Sequence, residues 1–409
     1  MGTFTWFDGN QGAYRYFDPY RYDITKTTKK KIEAEYNGRD GDLDETRQPA
    51  SYEITLKGAK TKTDGNGNTF YTKGTITKIT WYDSDGDKKM EASGLSINLK
   101  QFWAALNEGS DWMFRHLLLK DDHSFVGADD GMNPDGWDGD DIDTGFGDDT
   151  ITANGGDDYI KDQGGTDTYD GGDGYDALSY DQLFWRPWLG DQGIDADLAA
   201  GTVVGPDGNT DTLISIEMLR GTYLDDVMRG DGGDYNQFMG LQGNDTIDGR
   251  GGLDEVRYDR DDDQGGTNGV MVDLKKGTAT DGFGDTDTLI NIERVRGSDY
   301  DDLLIDNNGD NRLRGYDGDD TLCASKGDDQ LEGGSGADLF QFKGKKFGDN
   351  SIWDFEVGTD QIEILKAKRF GQLDIEDNSD GDAVISYGKS TITLDGVSAD
   401  DLSADDFLF

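Results

Sequence analysis

A nine-residue repeat is the feature that most constrains what this chain can fold into. Written G-G-x-G-x-D-x-U-x, with U a large apolar residue, it runs without a break from Asp135 to Ser179. It returns further along, so that the chain holds three arrays at 135–179, 221–257 and 297–341. A fixed short period predicts a solenoid, in which each repeat packs mainly against its neighbours.

Position six of the repeat carries an acid or an amide in all three arrays. The residues are Asp140, Asp149, Asp158, Asp167, Asp176, Asp226, Asn236, Asp245, Asp254, Asp302, Asn311, Asp320, Asp329 and Asp338. Position eight is apolar in the same register, from Ile142 in the first array to Phe340 in the third. A disordered Gly/Asp-rich linker would not keep both series in register, so the pattern indicates a folded structure.

The two halves of the nonad have different structural roles. The G-G-x-G-x-D half turns tightly, because glycine permits positive φ, and it exposes backbone carbonyls next to a charged oxygen. The x-U-x half is a three-residue strand whose central side chain points inward. If two nonads make one coil, turns on the same edge are two nonads apart. We therefore expect position-six residues 18 apart to lie next to each other.

The charge of the chain indicates what these turns bind. Asp and Glu number 86 against 39 Lys and Arg, for a net charge of -47. Regularly spaced carboxylates beside carbonyls suit Ca²⁺, which takes 6–8 oxygen ligands. We predict several Ca²⁺ ions, each shared by same-edge residues. The pairs are Asp140 with Asp158, Asp158 with Asp176, Asp149 with Asp167, Asp302 with Asp320, Asp320 with Asp338, and Asn311 with Asp329. Asn236 and Asn311 lack the charge and should mark weaker sites.

The nonads closely resemble the repeats-in-toxin (RTX) family, also called hemolysin-type calcium-binding repeats. This resemblance covers roughly 135–409 and implies a parallel β-roll with an ion between successive same-edge turns. It also implies export by a type I secretion apparatus through an uncleaved C-terminal signal. Segments 181–220 and 259–296 interrupt the repeats and are related by a 76-residue duplication, as in Gly193–Leu198 and Gly269–Leu274. These interruptions predict three short rolls joined by spacers.

The predicted fold class is all-β, with calcium-bound parallel β-roll segments after a small, mainly antiparallel N-terminal domain. That domain alternates like strands and carries a predicted helical pair at Leu99–Leu106 and Trp112–Leu119. The predicted divisions are an N-terminal domain (1–125), a first roll (126–180), a spacer (181–220), a second roll (221–258), a duplicate spacer (259–296), a third roll (297–341) and a C-terminal cap with the secretion signal (342–409).

Composition and motifs exclude several function classes. The strong acidity disfavours nucleic acid and anionic lipid as partners, and no stretch is long and apolar enough to insert in a membrane. No H-E-x-x-H or G-x-S-x-G occurs, and the lone Cys323 falls at position nine of a nonad. We therefore expect no enzyme activity.

The sequence favours a secreted, extracellular calcium-binding protein that acts as a surface-layer, matrix, adhesin or filament component. Its partners would be the type I secretion apparatus and either other copies of itself or a cell-surface polysaccharide. The alternative is a carbohydrate-binding or polysaccharide-modifying protein, with its site in 1–125 or in the spacers. A small toxin is a third possibility, weakened by the lack of an amphipathic membrane-active segment. The N-terminal aromatics, such as Trp6 and Tyr14, fit either strand cores or a sugar-stacking platform.

Overall fold

The computed structural model describes most of the repeat region and parts of the N-terminal region. The described residues are 2–6, 22–27, 31–36, 51–63, 69–82, 88–98, 123–126, 141–144, 146–185, 190–233 and 235–409. The predicted helices at Leu99–Leu106 and Trp112–Leu119, and the predicted ligand Asp140, lie outside these residues. The chain divides into two compact units, 1–191 with 201–218, and 192–200 with 219–409.

The first unit begins with an antiparallel sheet. Its strands are β1 (Gly2–Trp6), β2 (Tyr22–Thr27), β3 (Lys31–Tyr36), β4 (Ser51–Thr63), β5 (Thr69–Tyr82), β6 (Lys88–Asn98) and β7 (His123–Val126). Strands β2 to β6 pair antiparallel in chain order, β1 joins β6, and β7 lies parallel to β1. In β4, Ile54 and Leu56 are buried while Thr55 and Lys57 are exposed, the alternation of a half-buried strand. The predicted antiparallel N-terminal sheet is confirmed.

Short parallel strands follow in the first unit. They are β8 (Asp141–Asp143), β9 (Thr150–Thr152), β10 (Tyr159–Lys161), β11 (Thr168–Asp170) and β12 (Ala177–Ser179), followed by the helix α1 (Gln182–Trp185). The next strand, β13 (Asp195–Asp197), belongs to the second unit, and β14 (Thr202–Val204) and β15 (Thr210–Ile214) complete the first. Alternate strands pair in parallel: β10 lies between β8 and β12 on one sheet, and β7, β9, β11 and β15 pair in succession on the other. Pairing two nonads apart is the arrangement that the repeat predicts.

The second unit continues the same construction. Its further elements are β16 (Met218–Arg220), β17 (Val227–Arg229), β18 (Gln237–Met239), β19 (Thr246–Asp248), β20 (Glu255–Arg257), the 3₁₀ helix η1 (Asp262–Gln264), β21 (Met271–Asp273), β22 (Thr278–Thr280), β23 (Thr286–Ile290), β24 (Arg294–Arg296), β25 (Leu303–Ile305), β26 (Arg312–Asp317), β27 (Thr321–Ala324), β28 (Gln330–Ser335), β29 (Leu339–Phe342), β30 (Asp349–Ile352), β31 (Gln361–Ile364), η2 (Phe370–Gln372), β32 (Asp374–Asp377), β33 (Ala383–Tyr387), β34 (Ser390–Leu394), η3 (Ala399–Asp401), η4 (Ala404–Asp406) and β35 (Phe407–Leu408). Among the helices of the described part of the chain, none is long and apolar enough to cross a membrane.

The second and third arrays form continuous sheets, although the interruption at 259–296 predicts two separate rolls. On one sheet, β24 pairs in parallel with β20 on one side and β26 on the other. On the other sheet, β23 lies beside β19, β21 lies beside β25, and β22 pairs antiparallel with both β21 and β23. The physical reason is that Val295 is buried in register with Val256 and Leu313, so the spacer supplies its own inward-facing strand residue.

Position eight of the nonads forms the core of the repeat region. The residues there have no exposed surface: Ile142, Ile151, Ile160, Tyr169, Leu178, Phe238, Ile247, Val256, Leu304, Leu313, Leu322, Leu331 and Phe340. This confirms the predicted inward series. With one such residue in nine, apolar burial alone provides limited stabilisation, and the turns need other interactions to hold them.

The C-terminal segment covers the end of the roll. Strand β31 extends one sheet beyond β29 and is followed by β35, while β34 extends the other beyond β30. Strands β32, β33 and β34 then turn back antiparallel. Phe340 and Phe355 pack with ring centroids 6.1 Å apart, and Phe342 and Phe347 with centroids 5.2 Å apart. These aromatic side chains are buried and cover the apolar interior at its last coil.

A matched pair of glycines tests how closely the turns stack. Gly336 has φ 145°, and a Cβ there would overlap the carbonyl oxygen of Gly318 one coil earlier. Gly381 has φ 92° but no neighbour within 4 Å of a Cβ. We expect Gly381→Ala to cost about 1 kcal/mol of unfolding free energy for the left-handed backbone alone, and Gly336→Ala about 2 kcal/mol more from the overlap. Urea unfolding in saturating calcium measures both, and equal costs would contradict the stacking.

Candidate metal centres

The position-six side chains form a stack of hydrogen bonds along each edge of the roll. The backbone N–H of one residue donates to Oδ1 of the residue one coil later. The N···O distances are 2.5 Å for Asp149 to Asp167, 2.8 Å for Asp158 to Asp176, 2.8 Å for Asn236 to Asp254, 2.7 Å for Asp302 to Asp320, 2.9 Å for Asn311 to Asp329 and 2.9 Å for Asp320 to Asp338. The structure thus brings together all the predicted pairs except that of Asp140, which lies outside the described residues.

The second carboxylate oxygen of many of these residues is buried and has no hydrogen-bond partner. Within the described ranges this holds for Oδ2 of Asp176, Asp245, Asp254, Asp320, Asp329 and Asp338. Burying a charged oxygen without a partner is costly, and native proteins seldom leave such a group unsatisfied. Because it is the same atom at the same repeat position, one kind of positively charged partner would satisfy the oxygen in all of these coils.

Other oxygens converge on these carboxylates at the first glycine of each nonad. A Cβ on Gly315 would overlap Oδ2 of Asp320 and lie 2.5 Å from the carbonyl oxygen of Gly333, one coil later. At Gly249, a Cβ would lie 2.5 Å from Oδ2 of Asp254 and overlap the carbonyl oxygen of Asn291. Each glycine thus leaves room beside a carboxylate and a carbonyl from the next turn. This donor set, hard oxygens of mixed charge from two turns, fits Ca²⁺.

The electrostatics of the stack also call for a cation. Burial, together with the repulsion of the neighbouring Asp302 and Asp338, raises the pKa of Asp320 to about 8. Burial, together with repulsion from Asp226 and Asp287, raises the pKa of Asp245 to about 10. A carboxyl with so high a pKa carries a charge at neutral pH only at a free-energy cost. A bound divalent cation would remove that cost.

Five of the predicted ligands have their side-chain atoms engaged by the protein itself. The first is Asp167, whose Oδ1 accepts the N–H of Asp149 and whose Oδ2 accepts the hydroxyl of Tyr169 at 2.9 Å. Asp226 accepts hydrogen bonds from the N–H of Ile194 and Thr222, and Asp302 accepts the corresponding bonds from Val270 and Ser298. These two residues begin stacks, and both of their oxygens are used. The Asn311 amide donates to the carbonyl of Glu293 at 3.1 Å and accepts from Asn307. Asn236 Oδ1 accepts from the N–H of Asp231 at 3.1 Å.

The stacks extend into residues that position six does not identify. Their oxygens accept the N–H of the last residue of each stack: Asp211 from Asp167, Glu217 from Asp176, Asp287 from Asp245, Glu293 from Asp254, Asn350 from Asp329 and Asp360 from Asp338. Two signals in the sequence could have revealed some of them. Asp211 and Glu217 recur as Asp287 and Glu293 in the 76-residue duplication.

A second, exposed stack lies next to the first at position five of the nonads. Oδ1 of Asp301 accepts the N–H of Asp319, Oδ1 of Asp319 accepts that of Ala337, and Oδ1 of Asp310 accepts that of Asp328, all at 2.8–2.9 Å. The frequent Asp-Asp pairs in the sequence are its signature. Position five therefore stabilises the turns without contributing a buried charge.

Comparison with known proteins identifies the repeat. The family model for the RTX calcium-binding nonapeptide repeat matches four times, at 143–178, 231–264, 296–331 and 324–341. No curated protein matches the chain.

Among solved structures, the chain is similar to the AlgE6R3 subunit of the Azotobacter vinelandii mannuronan C5-epimerase. The identity is 28% over 28% of this chain and 81% of that one, with a TM-score of 0.18. It is also similar to the extracellular lipase LipA from Serratia marcescens, at 18% identity over 70% of this chain and 40% of that one, with a TM-score of 0.20.

The raised carboxyl pKa values predict how the calcium-free protein responds to pH. The folded-state pKa of Asp320 is about 8, above the unfolded value of about 3.9, so between these values the folded state binds more protons. Its stability is therefore greatest at low pH and falls as pH rises through the folded pKa. After dialysis against chelator, we expect more β-structure by far-UV circular dichroism at pH 5.5 than at pH 8.5. Equal or weaker signals at pH 5.5 would contradict this.

Three findings agree on the identity of the repeats. The nonads match the RTX family model, they fold as paired parallel sheets with one coil per two repeats, and their turns place carboxylate and carbonyl oxygens side by side. RTX nonapeptide repeats bind calcium, and proteins that carry them are generally secreted. The nonads of this chain are therefore RTX calcium-binding repeats, and they fold as a β-roll.

Proposed function

We propose that the chain is a noncatalytic extracellular protein whose repeat region folds when calcium binds. The observation that carries this proposal is the series of buried, unpartnered Oδ2 atoms that recurs in successive coils. Without calcium, the net charge of -47 favours an expanded chain. Such a chain suits export by a type I secretion apparatus, and the millimolar calcium outside the cell would then fold it.

The ligands differ in strength under this proposal. Asp176, Asp245, Asp254, Asp320, Asp329 and Asp338 each offer an oxygen that no described protein group occupies. Asp149 and Asp158 remain ligands by their place in the same stacks. Asp167 would coordinate an ion more weakly, since the N–H of Asp149 and the hydroxyl of Tyr169 engage its two oxygens. Asp226 and Asp302 hold the first turn of a stack and would contribute less, since Thr222 and Ser298 engage them. Asn236 and Asn311 mark the weakest sites.

Replacing one shared carboxylate tests the proposal. Asp320→Asn keeps an oxygen for the N–H of Asp302 but puts an amide NH₂ where Oδ2 would contact the ion. Asp317→Asn, on the same turn, removes an equal charge from an exposed residue. Isothermal titration with calcium should show fewer ions bound by Asp320→Asn and a midpoint shifted upward about tenfold or more. Asp317→Asn should match the parent protein, and identical titrations for the two variants would overturn the assignment.

Two roles are open to the folded protein. In the first, it assembles with further copies of itself into a surface layer, matrix or filament. Supporting this are the repeat architecture, which presents long regular faces, and the exclusion of the common catalytic motifs. In the second, it binds an extracellular polysaccharide. One surface of the second unit favours the second role.

That surface is a double row of arginines on an otherwise acidic chain. Strands β20, β24 and β26 lie in register, with Arg294 beside Arg312 in one row, and Arg257, Arg296 and Arg314 side by side in the other. Their side chains are partly exposed, between 15% and 22% for Arg257, Arg296, Arg312 and Arg314. Neighbouring strands place such rows about 4.8 Å apart, so the guanidinium groups form a dense positive surface.

Part of this charge remains available to a ligand. Arg257, Arg296 and Arg314 pair with Asp259, Glu255 and Glu332 at 2.7–2.9 Å. Arg312 instead lies over the ring of Trp353 at 4.3 Å, and the nearest oxygen of Glu332 is 3.7 Å away. Arg294 lies over the ring of Tyr235 at 4.9 Å. Arginine with aromatic rings matches the carboxylates and flat faces of uronic acid sugars, which favours an acidic polysaccharide.

Affinity electrophoresis in calcium separates the two roles. Polygalacturonate in the gel should retard the parent protein, and neutral dextran should not. The double change Arg294→Ala and Arg312→Ala should weaken retardation about tenfold or more, while Arg260→Ala, which removes an exposed arginine paired with Asp263, should not. Absence of retardation, together with calcium-dependent growth of particle size with concentration in light scattering, would favour self-assembly instead.

A further inference from the structure

The second spacer contains two buried carboxylates outside the nonad series. Asp261 lies just before η1 and Asp281 just after β22, with exposed fractions of 1% and 0%. Oδ2 of Asp261 accepts the N–H of Gly282 at 3.0 Å, which places its carboxylate against the peptide next to Asp281. Oδ1 of Asp281 accepts three consecutive N–H groups, from Phe283, Gly284 and Asp285, at 2.7–3.0 Å. Backbone donors therefore fix one oxygen of each carboxylate.

The other oxygen of each carboxylate has no hydrogen-bond partner in the described parts of the chain. Oδ1 of Asp261 and Oδ2 of Asp281 are both inaccessible to solvent. Oε1 of Gln264 in η1 is also inaccessible and also has no hydrogen-bond partner among the described residues. The ion pairs between described residues do not include either aspartate. Burial and the nearby charges of Asp281, Asp287 and Asp259 together raise the pKa of Asp261 to about 8. The surroundings are thus negative, as in the nonad turns.

The described residues of the first spacer repeat several hydrogen bonds of the second without these acids. In both spacers a buried tyrosine donates its hydroxyl to an aspartate, Tyr180 to Asp211 and Tyr258 to Asp287, each at 2.9 Å. Three residues after each tyrosine, an N–H donates to the tyrosine carbonyl: Leu183 in the first spacer and Asp261 in the second. Leu183, 1% exposed, therefore occupies the position of Asp261.

The second aspartate also has a counterpart without a carboxylate. In the first spacer, the N–H of Gly205 donates to the carbonyl of Asn209, four residues along the chain. In the second spacer, the N–H of Asp281 donates in the same way to the carbonyl of Asp285. Gly205 thus corresponds to Asp281. Pro206, which has no N–H, then corresponds to Gly282, the donor to Asp261. The fold of the spacer therefore does not require the two acids, since an apolar residue, a glycine and a proline serve the same backbone.

We propose that Asp261 and Asp281 bind a calcium ion within the second spacer, a site separate from the nonad turns. Each would give its unpartnered oxygen, and Gln264 Oε1 would give a third. The carbonyl of Asn268 lies close to the same carboxylate, since a Cβ on Gly282 would be 3.0 Å from Asp261 Oδ2 and 3.3 Å from that carbonyl oxygen. Ca²⁺ accepts such mixed carboxylate, amide and carbonyl ligands, and water completes its shell of 6–8 oxygens.

The ion would hold the spacer to the end of the second array. Asp287, which accepts the hydroxyl of Tyr258, also accepts the N–H of Asp245, the last position-six residue on that edge. Fixing η1 against the turn after β22 would hold these contacts together. The site would therefore stabilise the segment that lets one array continue into the next.

Exchanging the two spacers' residues tests the site with a built-in control. The double variant Asp261→Leu and Asp281→Gly installs the residues that the first spacer uses, so it should still fold in calcium by circular dichroism. Native mass spectrometry at saturating calcium should find one ion fewer than in the parent protein. Asp262→Asn, which removes an exposed acid next to Asp261, should keep the full number. An unchanged ion number in the double variant would overturn the proposal.

A second measurement on the unchanged protein keeps the test independent of how the variant folds. Crystals grown with calcium and soaked in terbium should show an anomalous peak about 2.3–2.6 Å from oxygens of both Asp261 and Asp281. A map with peaks at nonad turns and none here would overturn the proposed site while leaving calcium-dependent folding intact. A map with a peak at Asp261 and Asp281 and none at the nonad turns would support this site and contradict calcium binding at the turns.

Discussion

The hydrogen bond from one position-six N–H to Oδ1 of the residue one coil later is the interaction on which the repeat region depends. It aligns consecutive turns, as in the run Asp302, Asp320 and Asp338. It also uses only one carboxylate oxygen, which turns Oδ2 toward the first glycine and the carbonyl of the next turn. Because each nonad buries one large apolar side chain at position eight, a cation bound here would add to the stability of the stacked turns. Calcium binding and coil stacking therefore involve the same residues.

The spacers show how the stack begins and ends where the repeat is interrupted. Two stacks begin with a carboxylate whose oxygens a Thr or Ser turn engages, at Asp226 and Asp302, and two others begin with an amide, at Asn236 and Asn311. Two stacks end on an aspartate that a buried tyrosine hydroxyl engages, Asp211 and Asp287. At these places protein donors replace the ion, so no carboxylate is buried without a partner. The two copies of the spacer share these stack ends, Asp211 with Tyr180 and Asp287 with Tyr258. They differ elsewhere, since only the second copy buries the two further acids Asp261 and Asp281.

The buried acids of the turns and the outward-facing arginines have different roles, the first in folding and the second in the proposed recognition of a partner. Acids at position six face inward and would be neutralised by calcium, and acids at position five serve the turns from outside. The arginines of β20, β24 and β26 face outward on one sheet of the second unit. They give a partner with carboxylates a positive surface on a chain whose net charge is -47. This is why the arginine rows, rather than the overall charge, favour an acidic polysaccharide.

The sequence by itself determined the repeat, its inward series and the pairs of residues that share a turn. A period of nine fixes which residues meet, since contacts are local, and Leu313, Leu322 and Leu331 could be assigned to the core from spacing alone. The tertiary structure decided what lies beyond the period. Glu217 and Asn350 close stacks from positions that no repeat marks, and β24 joins two arrays that the sequence separates. Asp261 and Asp281 are 20 residues apart, and only folding of the spacer brings them together. Long-range contacts of this kind depend on how the chain turns back, which local spacing does not encode.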